Sequence, residues 1–319
     1  NGMETNKTEV TQEIKLLPGA NKISCTVTDS KGLVSLSDQI VITLDQKDKP
    51  TLYMVSVGVS SYKNNAFNLD YAAKDATDIS ELMKTSTIYK EKKELVILNE
   101  EADHTTIDRI KSFVKNAKHN DVVIFFIAGH GTLDADYNYY FAGYEMDFEN
   151  PASKGFSFQE IQSVFDGITC LRKILLMDTC HSGEVDKEAI AGVSEMEENG
   201  DITFRTSGSK TISSSAEKKV ISDMASLLFI NTRKATGATI ISSSGGTEVA
   251  MESAKWKNGL FTFFLKKGIL SMQADYNKDG KLMLSEVRDY VNEKVALHSK
   301  GKQRPTARSL NLAMDYRLF

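Results

Sequence analysis

The chain has 319 residues, 41% of them hydrophobic and 26% charged, with a net charge of -4. That suits one medium-sized domain plus a smaller piece, with a core large enough to need no staple. It offers no basic field for nucleic acid, and no apolar run approaches the ~20 residues of a membrane span.

The three cysteines, Cys25, Cys170 and Cys180, are too few for a disulfide scaffold and leave at least one thiol free. They point to a reducing, cytoplasmic setting. The opening Asn1-Gly2-Met3-Glu4 lacks the apolar core of a signal peptide. It reads as a cut from a longer chain, with further N-terminal domains expected before it.

Residues 10–45 read as β structure. Strands are expected at Glu13–Leu16, Lys22–Thr28 and Val34–Thr43, with turns at Pro18-Gly19 and Asp29-Ser30-Lys31-Gly32. Three strands are too few for a sandwich, and the pattern resembles the last strands of an immunoglobulin-like module. A charged linker ending at Pro50 follows, so a β segment over 1–48 precedes a larger domain over 49–319.

From Leu52 the pattern becomes strand-helix alternation. Strands are expected at 52–59, 94–98, 122–128, 173–177 and 238–242. Helices are expected at 70–83, 105–117, 158–165 and 260–270. Near-continuous apolar strands between amphipathic helices predict an α/β fold with a mainly parallel sheet covered on both faces. Residues 184–219 break the rhythm. A polar loop of that length is functional or mobile, and its Lys187, Arg205, Lys210, Lys218 and Lys219 make it a good protease target.

Two buried strands end in chemistry. Val122 to Ala128 runs into Gly129-His130-Gly131, and Ile174 to Met177 runs into Asp178-Thr179-Cys180-His181-Ser182-Gly183. In an open α/β sheet the carboxyl edge is where ligands bind. A thiol beside an imidazole becomes a good nucleophile, and the Gly131 and Cys180 amides can face a developing oxyanion. Cys25 has strand-like neighbours and Cys170 precedes an apolar run, so both read as structural.

The paired stretches "Phe-Phe-Ile-Ala-Gly-His-Gly" and "Leu-Leu-Met-Asp-Thr-Cys-His-Ser-Gly" resemble the caspase-fold cysteine peptidases, on the bacterial metacaspase (orthocaspase) side. "Leu-Asp-Tyr-Ala-Ala-Lys-Asp-Ala" and "Asn-Gly-Leu-Phe-Thr" fit the same family, and the likeness runs from about Leu52 to Phe319. The resemblance implies a three-layer caspase-like domain, with His130 as base and Cys180 as nucleophile, cutting protein or peptide substrates after Arg or Lys. Asp178 and Asp75 match the family's acids for the basic side chain, as a guanidinium requires. Ala128 stands where the family often has Ser, which leaves Arg against Lys open. No third triad acid is evident. Self-cleavage within 184–234 is a further expectation.

Other readings stay beside this one. A Cys-His core pair, a zinc site using Cys180, His181 and His130, and a catalytically silent interaction module are the alternatives; the zinc site lacks a fourth ligand. His104, His119 and His298 read as surface residues; Glu248 and Glu252 have two readings, a lining of extended subsites and a solvated loop, of which the loop is favoured.

Residues 275–286 place Asp275, Asn277, Asp279, Lys281 and Glu286 at loop positions 1, 3, 5, 7 and 12 of an EF-hand calcium loop, with Gly280 at 6. Calcium is therefore a candidate ligand, while the chemistry itself needs no cofactor. Metacaspases are commonly calcium-activated, but through other acids, so that trait does not license this loop.

Overall fold

The computed structural model describes residues 9–45, 48–136, 138–180, 202–205, 237–245, 250–309 and 315–319. Its contacts divide the chain into two units, Asn1–Asp48 and Lys49–Phe319.

In the first unit β1 (Gly19–Cys25) pairs antiparallel with β2 (Asp38–Leu44), from Gly19 opposite Leu44 to Cys25 opposite Asp38. The Asp29 carboxylate accepts the Lys31 and Leu33 amides and closes the turn between them. The strand expected at Glu13–Leu16 does not form, because no strand among the described residues takes its hydrogen bonds. Cys25 is exposed rather than structural, and Val27, Leu36 and Val41 are exposed on the same hairpin.

The second unit runs, in chain order, through β3 (Thr51–Gly58), α1 (Ala72–Lys84), β4 (Glu91–Leu98), α2 (Thr106–Val114), β5 (Val122–Gly129), β6 (Gly131–Leu133), β7 (Tyr139–Phe141), α3 (Pro151–Lys154), β8 (Phe156–Ser157), α4 (Phe158–Ser163) and β9 (Arg172–Thr179). It continues through β10 (Ile202–Phe204), β11 (Thr239–Ser242), β12 (Met251–Ser253), β13 (Asn258–Gly259), α5 (Leu260–Leu270), α6 (Leu284–His298) and β14 (Thr306–Arg308). The central sheet has the order β14-β11-β9-β5-β3-β4; every pairing is parallel except that of β14 on β11.

β3, β5 and β9 are buried along their whole length, as continuous apolar runs demand of strands covered on both faces. Successive side chains point to opposite layers. Ile124, Ile174 and Leu176 line one apolar layer with Ile79 and Leu82 of α1, Phe261 and Leu265 of α5, and Val287 and Val291 of α6. On the other face Phe125 meets Phe165 just beyond α4, and Tyr53 meets Phe113 of α2, both edge to face. Each such aromatic burial contributes on the order of 1.5–3 kcal/mol. The result is a three-layer α/β/α domain. Among the described residues no helix is long and apolar enough to cross a membrane.

Candidate active site

The parallel register of β5 on β9 decides where the chemistry lies. Ala128 stands opposite Asp178 and Gly129 opposite Thr179, so His130 and Cys180 leave neighbouring strand ends at the same carboxyl edge. Ser243 and Ser244, just past β11, both donate hydroxyls to the Thr179 carbonyl and hold the tip of β9. Gln303 links this edge to β12: its side chain accepts from the Met251 amide and donates to the Ser243 carbonyl.

His130 sits in an aromatic box of Tyr62, Phe67 and Phe148, with ring centroids 5.2, 6.3 and 5.6 Å away. Its backbone amide donates to the Tyr62 hydroxyl at 3.0 Å. Its Nε2 lies 2.8 Å from the carbonyl of Phe67, at the end of a 3-10 turn over Asn65–Phe67. A carbonyl only accepts, so Nε2 carries the proton and Nδ1 keeps its lone pair. This carbonyl does what a third acid does elsewhere, holding the tautomer and the ring plane. No side-chain motif announces a backbone carbonyl, so the sequence carries no signal of it. Burial lowers the imidazole to a pKa of about 4, partly offset by the Phe67 carbonyl and by the Arg205 backbone, which lies against the ring.

Cys180 is fully buried. Its sulfur accepts the Ala250 amide at 2.9 Å, and burial pushes the thiol up to about 12. Both groups are therefore neutral in this state. Gly131 packs so closely on Cys180 that a β-carbon there would overlap the Cys180 carbonyl. The Ala142 amide donates to the His130 carbonyl, which makes Gly131 and Phe141 the non-hydrogen-bonded pair of that ladder. The Gly131 amide is thus not consumed by pairing with β7.

Beside the thiol lies a closed pocket holding Arg205, which is 0% exposed. Nε donates to Glu252 Oε2 at 2.9 Å, Nη1 to the Asp178 carbonyl at 2.9 Å, and Nη2 to Asp75. The Asp178 carboxylate is also 3.4 Å from Nη1. Each acid is anchored in turn. Asp178 accepts the amide and hydroxyl of Thr262 in the first turn of α5. Asp75 accepts from Asn258 and from the Gly259 amide, and Glu252 accepts the Asp70 amide. Burial raises Asp75 well above the usual carboxylate range; Arg205 pulls it down, and Asp178 pushes it further up.

Asp75 and Asp178 stand together as expected. Glu252 is a correction: the solvated-loop reading fails, because β12 pairs with both β10 and β13 and turns the side chain into the pocket. Its signal, a carboxylate in a short strand, has no periodicity to separate it from a loop. Cys170 is buried as expected, its thiol donating to the Asp121 carbonyl. His104 and His298 are exposed and His119 is half-buried. His181, Glu248 and most of the 184–234 loop lie outside the described residues.

The calcium loop has its frame: α5 and α6 flank it, Gly280 has a φ of +75°, and Leu282 is buried. Its ligand side chains are turned to the backbone. Asp275 accepts the Gly280 amide, Asn277 accepts the Asp279 amide, and Glu286 accepts the Met283 amide. Lys281 places its amide on Asp279. Among the described residues no three His, Cys, Asp or Glu side chains converge as a metal cage, these included.

A thiol and an imidazole at one sheet edge, with an acid-lined pocket alongside, define a cysteine peptidase site on a caspase-like fold. The caspase-domain model of peptidase family C14 matches residues 54–316, and the chain belongs to that family. No curated protein matches significantly. Among solved structures, the protein GSU0716 from Geobacter sulfurreducens is similar at 14% identity and a TM-score of 0.54, over 82% of this chain and 93% of that one. At that identity the likeness speaks to the fold alone.

Proposed function

We propose that this chain is an endopeptidase that cuts after a basic residue through a Cys180-His130 dyad, and that its own Arg205–Thr206 bond is a substrate. The observation that carries the reading is the seat of Arg205. Its guanidinium fills the acid-lined pocket, while the preceding Ile202–Phe204 runs antiparallel on β12, as a bound peptide does when it adds a strand to a sheet edge. The Arg205 amide donates to the Ala250 carbonyl at 3.0 Å, and the Ala250 amide donates to the Cys180 sulfur. One residue thus ties the substrate-like backbone to the nucleophile.

In the proposed reaction the Cys180 sulfur attacks the Arg205 carbonyl carbon and its proton passes to His130 Nδ1. The Gly131 and Cys180 amides face the oxyanion. The amine of Thr206 leaves with the proton, and water then releases the Arg205 carboxylate from the thioester. Incubation should yield two fragments with new ends at Arg205 and Thr206, read by intact mass. Their rate should not depend on protein concentration, since the bond is held in the same chain. An intact chain that also leaves basic fluorogenic peptides uncut would favour the silent interaction module instead.

Calcium enters the proposal only through residues 275–286, where Asp275, Asn277, Asp279 and Glu286 would offer the ion the oxygen lone pairs that their backbone amides leave unused. Binding to the folded state alone raises the thermal midpoint. A midpoint equal in calcium and in chelator removes calcium from the reading.

A further inference from the structure

We infer that Gln303 is a positioning residue, which sets the seat of Ala250 and through it the line of attack of the sulfur on the substrate backbone. This rests on the reading of Arg205 as a bound substrate residue. Ala250 carries both contacts that matter. Its amide donates to the Cys180 sulfur at 2.9 Å, and its carbonyl accepts the Arg205 amide at 3.0 Å. The next residue, Met251, stands opposite Phe204. Pairs in an antiparallel ladder alternate between hydrogen-bonded and not, so the Met251 amide turns away from β10. It donates to Gln303 Oε1 at 3.0 Å.

The other end of the same side-chain amide holds the nucleophile's strand. Gln303 Nε2 donates to the Ser243 carbonyl at 3.0 Å. Ser243 is bonded twice to β9: its amide donates to the Met177 carbonyl at 2.7 Å, and its hydroxyl donates to the Thr179 carbonyl at 3.1 Å, one residue before Cys180. One planar amide therefore joins the strand that carries the substrate backbone to the strand end that carries the sulfur. The chemistry selects this side chain. An N–H on one side needs an oxygen and a carbonyl on the other needs a donor, on separate atoms of one neutral group.

Gln303 is itself held. It is 0% exposed and lies between α6 and β14. The hydroxyl of Ser299, also 0% exposed and at the end of α6, accepts the Gln303 amide and donates to the Gln303 carbonyl, both at 3.0 Å. The pocket acids have other supports: Asn258 and the Gly259 amide for Asp75, Thr262 for Asp178, the Asp70 amide for Glu252. Loss of Gln303 thus strands the Met251 amide and the Ser243 carbonyl and leaves capture of the basic side chain in place. A misplacement of about 1 Å between reacting atoms costs about 100-fold in rate.

The test assays the full chain on a fluorogenic Ile-Thr-Phe-Arg peptide. Gln303→Met keeps the length of the side chain and loses both hydrogen bonds. Its kcat should fall by about 10- to 100-fold while KM stays within about threefold. Ser299→Ala frees the backbone of Gln303 and leaves the side-chain amide intact; kcat should fall by about three- to tenfold, again with little change in KM. A merely structural role would lower the thermal midpoint and leave kcat per folded chain at the parent value. Parental kcat in a folded Gln303→Met chain overturns the inference, and so does a loss confined to KM. If Gln303→Met does not fold, parental kcat in Ser299→Ala overturns it. A peptide left uncut by the parent overturns the basic-residue reading, and hydrogen exchange then decides for Gln303. The Ala250 and Met251 amides should exchange about 10-fold faster in the folded variant. Equal exchange overturns the positioning role.

Discussion

Cys180→Ala should remove both cleavage of an arginyl fluorogenic peptide and fragmentation at Arg205–Thr206, with a loss of ~10⁴-fold or more. The size follows from the role. The pocket, the Phe67 carbonyl and the Gly131 amide survive the change, but no atom remains to form the thioester. The fold should hold, because the sulfur's polar contacts among the described residues are with the Ala250 backbone alone. Circular dichroism and a thermal midpoint near that of the parent would document this. Turnover above a tenth of the parent rate would exclude Cys180 as the nucleophile.

Arg205→Ala should give the largest change in stability. Removing the guanidinium strands three buried carboxylates, and breaking such a pair costs about 3–5 kcal/mol. Measured in a Cys180→Ala background, where neither chain can cut itself, the thermal midpoint should fall by several degrees. The gap should widen as pH rises from 5 to 8. Arg205 holds the Asp75 pKa down in the parent, so its loss lets the folded variant keep protons that the unfolded chain has released. Stability then declines with rising pH more steeply in the variant than in the parent. Equal midpoints at both pH values would mean that Arg205 does not anchor this segment. With Cys180 present, the same substitution should abolish the 205–206 fragments.

The imidazole and the thiol are both buried, and the guanidinium that fills the pocket beside them is the chain's own. Under the proposed reaction, cutting after Arg205 would convert β10 into a product with a free end, held by one guanidinium and three residues of strand.

Only the family resemblance pointed to a pocket role for Asp178 and for Asp75, which lies in the first turn of α1; the amino-acid sequence by itself determined the layered α/β domain and the strand ends that carry His130 and Cys180. Those features are local: buried parallel strands are continuous apolar runs, and the polar residues that end them stand at one sheet edge. The tertiary structure alone decided the rest. Glu13–Leu16 has ordinary strand residues and pairs with no strand among the described residues, which only the assembled hairpin reveals. Phe67 acts through a carbonyl, which every residue possesses. Glu252 and Arg205 meet only because β10 pairs with β12 across a gap of 47 residues. Pairing at that range depends on the whole sheet being in place, and a short polar strand carries no period that would announce it.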